Sequence, residues 1–180
     1  EELLGAALQF EGTATATLTV TVTGANDTLV LVADTAAVVE SGTDAQGAVA
    51  GTPDASGNVL DNDSDVDASD GKSVSTVSFG MNSVAAGAAI AGTYGSLILG
   101  TDGAHNYTLN NGLTATQALA AGQSVTEIFT YAAADTAGLG GTQTLTITVT
   151  GTNDAPVAVV ATGTPPAEAG YTAAGIPTSV

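Results

Sequence analysis

Wherever apolar residues run together in this chain, they alternate with threonine. Leu18, Val20 and Val22 hold one parity against Thr17, Thr19 and Thr21, and Leu145, Ile147 and Val149 repeat the pattern against Thr144, Thr146 and Thr148. Successive side chains of a pleated strand point to opposite faces, so a period of two predicts half-buried strands with a threonine face toward solvent. Similar patterns predict strands over 29–33, 74–79, 96–99, 106–109 and 125–131. Thr101-Asp102-Gly103 lies between two of these, and its Asp-Gly pair accommodates the positive φ angles of a tight hairpin. Helical composition is confined to 114–121, ahead of Gly122, which predicts a short turn crossing between sheets.

Short strands separated by Gly, Asn and Asp turns predict an all-β chain folded as an immunoglobulin-like or cadherin-like β-sandwich. The pattern also recurs as a phrase. TATLTVTVTGANDT near the start returns as TQTLTITVTGTNDAP, which puts Asn26 and Asn153 127 positions apart. Recurrence at domain-sized spacing marks a tandem-repeat unit. Residues 1–25 then carry the last strand of a preceding repeat, 26–154 one complete repeat, and 155–180 the opening of the next. The echo of Glu40-Ser41-Gly42 in Glu168-Ala169-Gly170 supports that last assignment, and the tail from Thr162 is expected to be poorly ordered without the rest of its repeat. Neighbouring repeats of the same chain are therefore expected partners.

Either copy of the phrase has the chemistry to fill the final-strand slot. A link of five residues from Thr23 to Leu29 reaches about 20 Å when fully extended, too short for the first copy to cross the sandwich and return, so 143–150 is expected to fill the slot. Leu18, Val20 and Val22 then form an uncovered apolar edge, expected to pair with a neighbouring molecule in strand-mediated self-association.

Composition narrows the chemistry. A unit of this size buries a core without staples, and the chain has no cysteine and no tryptophan. Val, Leu, Ile and Ala must build the core, with Phe79, Tyr94, Tyr107, Phe129 and Tyr131 as its bulky members. Eighteen acids face a single base, Lys72, for a formal charge of −17. Such a chain repels phosphate backbones and anionic headgroups, so neither nucleic acid nor an acidic membrane is an expected partner. No apolar run reaches membrane-spanning length, and export is expected to be specified outside these residues.

The acids are concentrated. From Gly57 the chain reads GNVLDNDSDVDASDG, with Asp61, Asp63, Asp65, Asp67 and Asp70 close together. Alternate carboxylates on one side of an extended loop offer several oxygens to one hard cation, and calcium tolerates the irregular geometry of such a loop better than magnesium does. An EF-hand beginning at Asp61 would need Gly at position 66 and Glu at position 72, where Val66 and Lys72 stand. Ligands must then converge from separate loops, with Glu40, Asp135, Asn26, Asp27, Asn153 and Asp154 as further candidates beside Asp61, Asp63, Asp65 and Asp67.

The stretch from Asn26 to Asp154 resembles the VCBS repeat, related to the cadherin-like repeats of very large secreted (RTX-type) bacterial surface adhesins. The resemblance is carried by NVLDNDSDVD, GTYGSLILGTDGAHNYTLNN, ALAAGQSVTEIFTYAAADTAG and TLTITVTGTNDAPV, in that order. His105 departs from it where such repeats often carry an aromatic residue, and Glu40 is followed by Ser-Gly where a second acid is common. The resemblance implies a cadherin-like sandwich, exported by a dedicated one-step machine, displayed in tandem outside the cell, binding calcium near its junctions and serving adhesion or biofilm scaffolding. An adhesive module recognising a glycan or protein through its loops is the alternative. An enzyme is not expected. The lone His105 lies on an alternating strand, and acids crowded into one stretch do not oppose each other across a substrate cleft as a hydrolytic pair does.

Overall fold

The computed structural model describes residues 17–44, 46–67 and 70–154. The elements are β1 (Asp34–Val39), β2 (Gly42–Asp44), β3 (Gly47–Val49), β4 (Asp54–Asn58), β5 (Ser73–Phe79), β6 (Asn82–Ala85), β7 (Ala89–Ala91), β8 (Gly95–Leu99), β9 (Ala104–Leu109), α1 (Thr114–Gln117), β10 (Ser124–Ala134) and β11 (Gly140–Thr150). They form a five-stranded sheet in the order β1-β11-β10-β5-β6, a four-stranded sheet in the order β4-β9-β8-β7, and a ribbon of β2 and β3.

The alternation decides which side chains meet. Leu97 and Leu99 of β8 and Tyr107 and Leu109 of β9 share a core with Val74 and Val77 of β5, Phe129 and Tyr131 of β10, and Leu145, Ile147 and Val149 of β11. Phe129 stacks at 4.9 Å on Phe79 within its own sheet and meets Tyr107 of the other sheet edge-on at 6.1 Å. The fold is a β-sandwich with apolar inner faces and a threonine outer face on β11, as the period of two requires.

The hairpin forms between β8 and β9, where Leu99 opposes His105 and the Gly100 N–H donates to the Ala104 carbonyl at 2.8 Å. Gly103 supplies its positive φ of 82°. The helical composition of 114–121 yields one turn of helix, after which Gly122 reverses the chain at a φ of 75°.

Two expectations need correction or restriction. Residues 29–33 do not form a strand: Val30 makes a single antiparallel bridge to Ser64, and regular pairing starts at Asp34. The Val32 N–H is taken by the Asp63 side chain at 2.7 Å instead of by a neighbouring backbone, and a ladder cannot propagate past a donor so engaged. The tail from Thr162 and the Glu168-Ala169-Gly170 echo lie outside the described residues.

β1 runs parallel to β11, from Asp34 opposite Leu145 to Val39 opposite Thr150, and β10 pairs antiparallel along β11's other side. The final-strand slot is thus filled by 140–150. Leu18, Val20 and Val22 stand 86 %, 71 % and 88 % exposed, outside any strand. The parallel pair also separates two poles. The start of β1, the acidic loop and the β10–β11 turn gather at the N-terminal pole, while Glu40, the β2–β3 ribbon and 151–154 gather at the C-terminal pole.

Candidate functional site

At the N-terminal pole the linker, the acidic loop and the β10–β11 turn are tied together by hydrogen bonds to carboxylates. The Asn26 side-chain amide donates to Asp135 Oδ2 at 2.8 Å, and the Asp27 N–H donates to Asp67 Oδ2 at 2.7 Å. The Asp67 N–H in turn donates to Asp65 Oδ1 at 2.9 Å. Asp135 is buried, and its other oxygen accepts the Leu139 N–H at 2.8 Å. The Asn26 amide, followed by the N–H groups of the turn, holds the Asp135 carboxyl below the usual carboxylate range despite burial. Gly24, Ala25, Asn26, Asp67 and Asp70 line an open cleft of about 270 Å³.

Asp63 lies deeper, 6 % exposed, and burial pushes its carboxyl up against the opposing pull of the Val32 N–H and Lys72. Lys72 is built into the loop as an internal counter-charge: its ammonium donates to the Leu60 and Asp63 carbonyls at 2.7 Å each. Asp34, which the sequence pattern assigns only to a strand, joins the group. It accepts the Tyr131 hydroxyl at 2.9 Å, and its carboxyl is raised by burial and further by the charges of Asp63 and Asp61. Asp61 itself is exposed at the rim.

The remaining candidates sit at the opposite pole. Glu40 is fully buried, accepting the Thr152 N–H at 3.2 Å and the Gln117 side-chain amide at 3.1 Å, and burial together with the charge of Asp154 raises its carboxyl. Asn153 pairs with Thr43, accepting its N–H at 2.7 Å and donating to its carbonyl at 3.0 Å. Asn26, Asp27, Asp63, Asp65, Asp67 and Asp135 therefore assemble at one end, and Glu40, Asn153 and Asp154 at the other.

Several oxygens have no protein partner. Asp63 Oδ2 and Asp65 Oδ2 are buried and unpaired at the N-terminal pole, as are Thr152 Oγ1 and Asp154 Oδ2 at the C-terminal pole. Buried carboxylate oxygens are costly unless hydrogen-bonded or bound to a cation. The donor chemistry fits a hard cation. Among the described residues, however, no three His, Cys, Asp or Glu side chains converge as a ready-made cage, so amide and main-chain oxygens would have to complete any shell.

Two buried polar groups lie away from the poles. Glu127, on the inward parity of β10, accepts the Tyr107 hydroxyl and the Thr93 and Tyr94 N–H groups, pinning the turn between β7 and β8. Gly92 lets the backbone pass against that carboxylate, where any Cβ would collide with it. A glutamate amid Val125, Phe129 and Tyr131 signals a buried acceptor, a cue available from parity alone. His105 is buried over Gly57 with neither ring nitrogen partnered, and burial lowers its pKa.

A family model described as bacterial cadherin-like domain matches residues 26–151. No curated protein matches the chain.

Proposed function

Because the chain belongs to the bacterial cadherin-like domain family, an adhesion-related family of extender modules, we propose that it is one unit of a tandem array in a long, secreted, RTX-type surface adhesin of the VCBS-repeat kind. In this reading calcium at the poles holds successive units in line and the array serves adhesion or biofilm building outside the cell. The observation that carries it is the pair of buried, unpartnered oxygens on Asp63 and Asp65 in a chain of net charge −17. The charges of Asp63 and Asp61 raise the Asp34 carboxyl; like charges about 4 Å apart repel by about 1 kcal/mol even at water-like dielectric, and a bound dication reverses the sign of that term. Asp63, Asp65 and Asp67 with Asn26, Asp27 and Asp135 would hold calcium at one pole; Glu40, Asn153 and Asp154 would contribute at the other.

The family's structural character and the burial of His105 both favour an extender over an enzyme. Recognition of a glycan would call for an aromatic platform, and no aromatic ring is exposed among the described residues. The test is small-angle scattering on a two-domain protein, residues 1–154 followed directly by 28–180. Its maximum dimension is expected to grow when calcium replaces chelator; equal dimensions in both would refute calcium alignment.

A further inference from the structure

The repeated phrase is visible in both of its roles within one molecule. Gly24-Ala25-Asn26-Asp27 arrives at the N-terminal pole, and Gly151-Thr152-Asn153-Asp154 leaves from the C-terminal pole. If units follow one another, as the proposed array requires, each such segment is at once the exit of one domain and the entrance of the next. Its bonds in the two roles can then be superposed.

They fall on different atoms with one exception. Leaving, the segment donates its second residue's N–H to Glu40 Oε2 (3.2 Å from Thr152), and its asparagine exchanges bonds with the Thr43 backbone. Entering, the asparagine amide reaches Asp135 Oδ2 at 2.8 Å and the following aspartate's N–H reaches Asp67 Oδ2 at 2.7 Å. Only the asparagine amide is used in both roles, and an NH₂ carries two hydrogens. In the entering copy its second hydrogen goes to the carbonyl of the next residue, Asp27, at 3.0 Å; in the leaving copy the Thr43 carbonyl takes that place.

We propose that this four-residue segment is a clasp between consecutive copies of the domain. Its asparagine donates one amide hydrogen to the Thr43 carbonyl of the domain it leaves and the other to the Asp135 carboxylate of the domain it enters. The two faces are shaped for it. Gly42 opens β2 where any Cβ would collide with the Asn153 carbonyl and the Thr152 hydroxyl, so the segment lies against bare backbone. Asp135 is buried and braced by the Leu139 N–H, so its free oxygen position is fixed before the amide arrives. The clasp needs no cation, which separates it from the calcium reading it is built upon.

Residual dipolar couplings on the two-domain protein, residues 1–154 followed by 28–180, test it in excess chelator. Both domains are expected to share one alignment tensor, and Asn153→Ala is expected to abolish the shared tensor while both domains keep the dispersed amide spectrum of a folded domain. Asn153→Asp, which keeps an oxygen ligand but loses both donors, is expected to do the same. A shared tensor surviving in both variants would overturn the clasp. Separate tensors in chelator that merge only with calcium would overturn it too while leaving the calcium extender standing, and separate tensors under both conditions would sink both.

Discussion

The side chains that matter most here are polar ones placed where the alternation expects apolar ones. His105 is the clearest, buried with both nitrogens unpartnered. A buried, unsatisfied polar group costs about 1–3 kcal/mol, and charging it costs more. Burial lowers its folded pKa, so the unfolded chain binds the proton first as pH falls. Its contribution to stability is therefore present above about pH 6.5 and lost as pH drops through the folded pKa. His105→Phe is expected to flatten the pH dependence of the denaturant midpoint between about pH 7 and about pH 5 and to leave stability at neutral pH unchanged or higher. A variant as acid-sensitive as the parent would show that the imidazole is not responsible. Such residues were only partly legible in the sequence. The inward parity of His105 and Glu127 is readable, but not what surrounds them: His105 packs on Gly57 of the adjacent strand, and the partners of Glu127 come from the other sheet and from the turn between β7 and β8. Asp34 joins the acidic group only because β1 starts beside the Asp61–Asp67 loop.

At the scale of elements, strands with strong alternation and a turn signal were legible: β5, β8, β9, β10 and β11 lie within a few residues of their expected bounds. β2, β3, β4, β6 and β7 were not. They are short and built mostly from Gly, Ala, Ser, Asn and Asp with at most one Val or Ile each, and edge or ribbon pairing forms them without a patterned apolar face. Residues 29–33 show the opposite failure, an apolar alternation whose donors are captured by a side chain. The β8–β9 hairpin rests on one conformational requirement. At Gly103, with φ at 82°, an added Cβ would also meet Leu60 Cγ at 2.6 Å. Gly103→Ala is expected to cost about 2 kcal/mol in equilibrium denaturation, about half from the left-handed backbone and the rest from the clash. A loss below about 0.5 kcal/mol would mean that the turn relaxes and the hairpin is not anchored there.

For the whole molecule, the parallel pairing of β1 with β11 sends the chain in at one pole and out at the other, the geometry a linear array needs. The duplicated phrase is what led to the proposal of such an array, and the acidic composition to the proposal of cation chemistry. What the sequence did not reveal is the division of the candidate ligands between two poles, which follows from sheet topology. The exposed Leu18, Val20 and Val22 copy the fully buried Leu145, Ile147 and Val149; in the proposed array the inner face of a preceding domain would cover them. The central claim is that calcium relieves the crowded, partly unpaired carboxylates. Thermal unfolding of the chain in calcium and in excess chelator tests it most directly, with Asp63→Asn/Asp65→Asn as the control. At calcium 100 times its dissociation constant, linkage gives about 2.7 kcal/mol per site. The account predicts a melting temperature that climbs with calcium in the parent and climbs less in the double variant, which keeps only the ligands of the opposite pole; superimposable parent curves with and without calcium would contradict it.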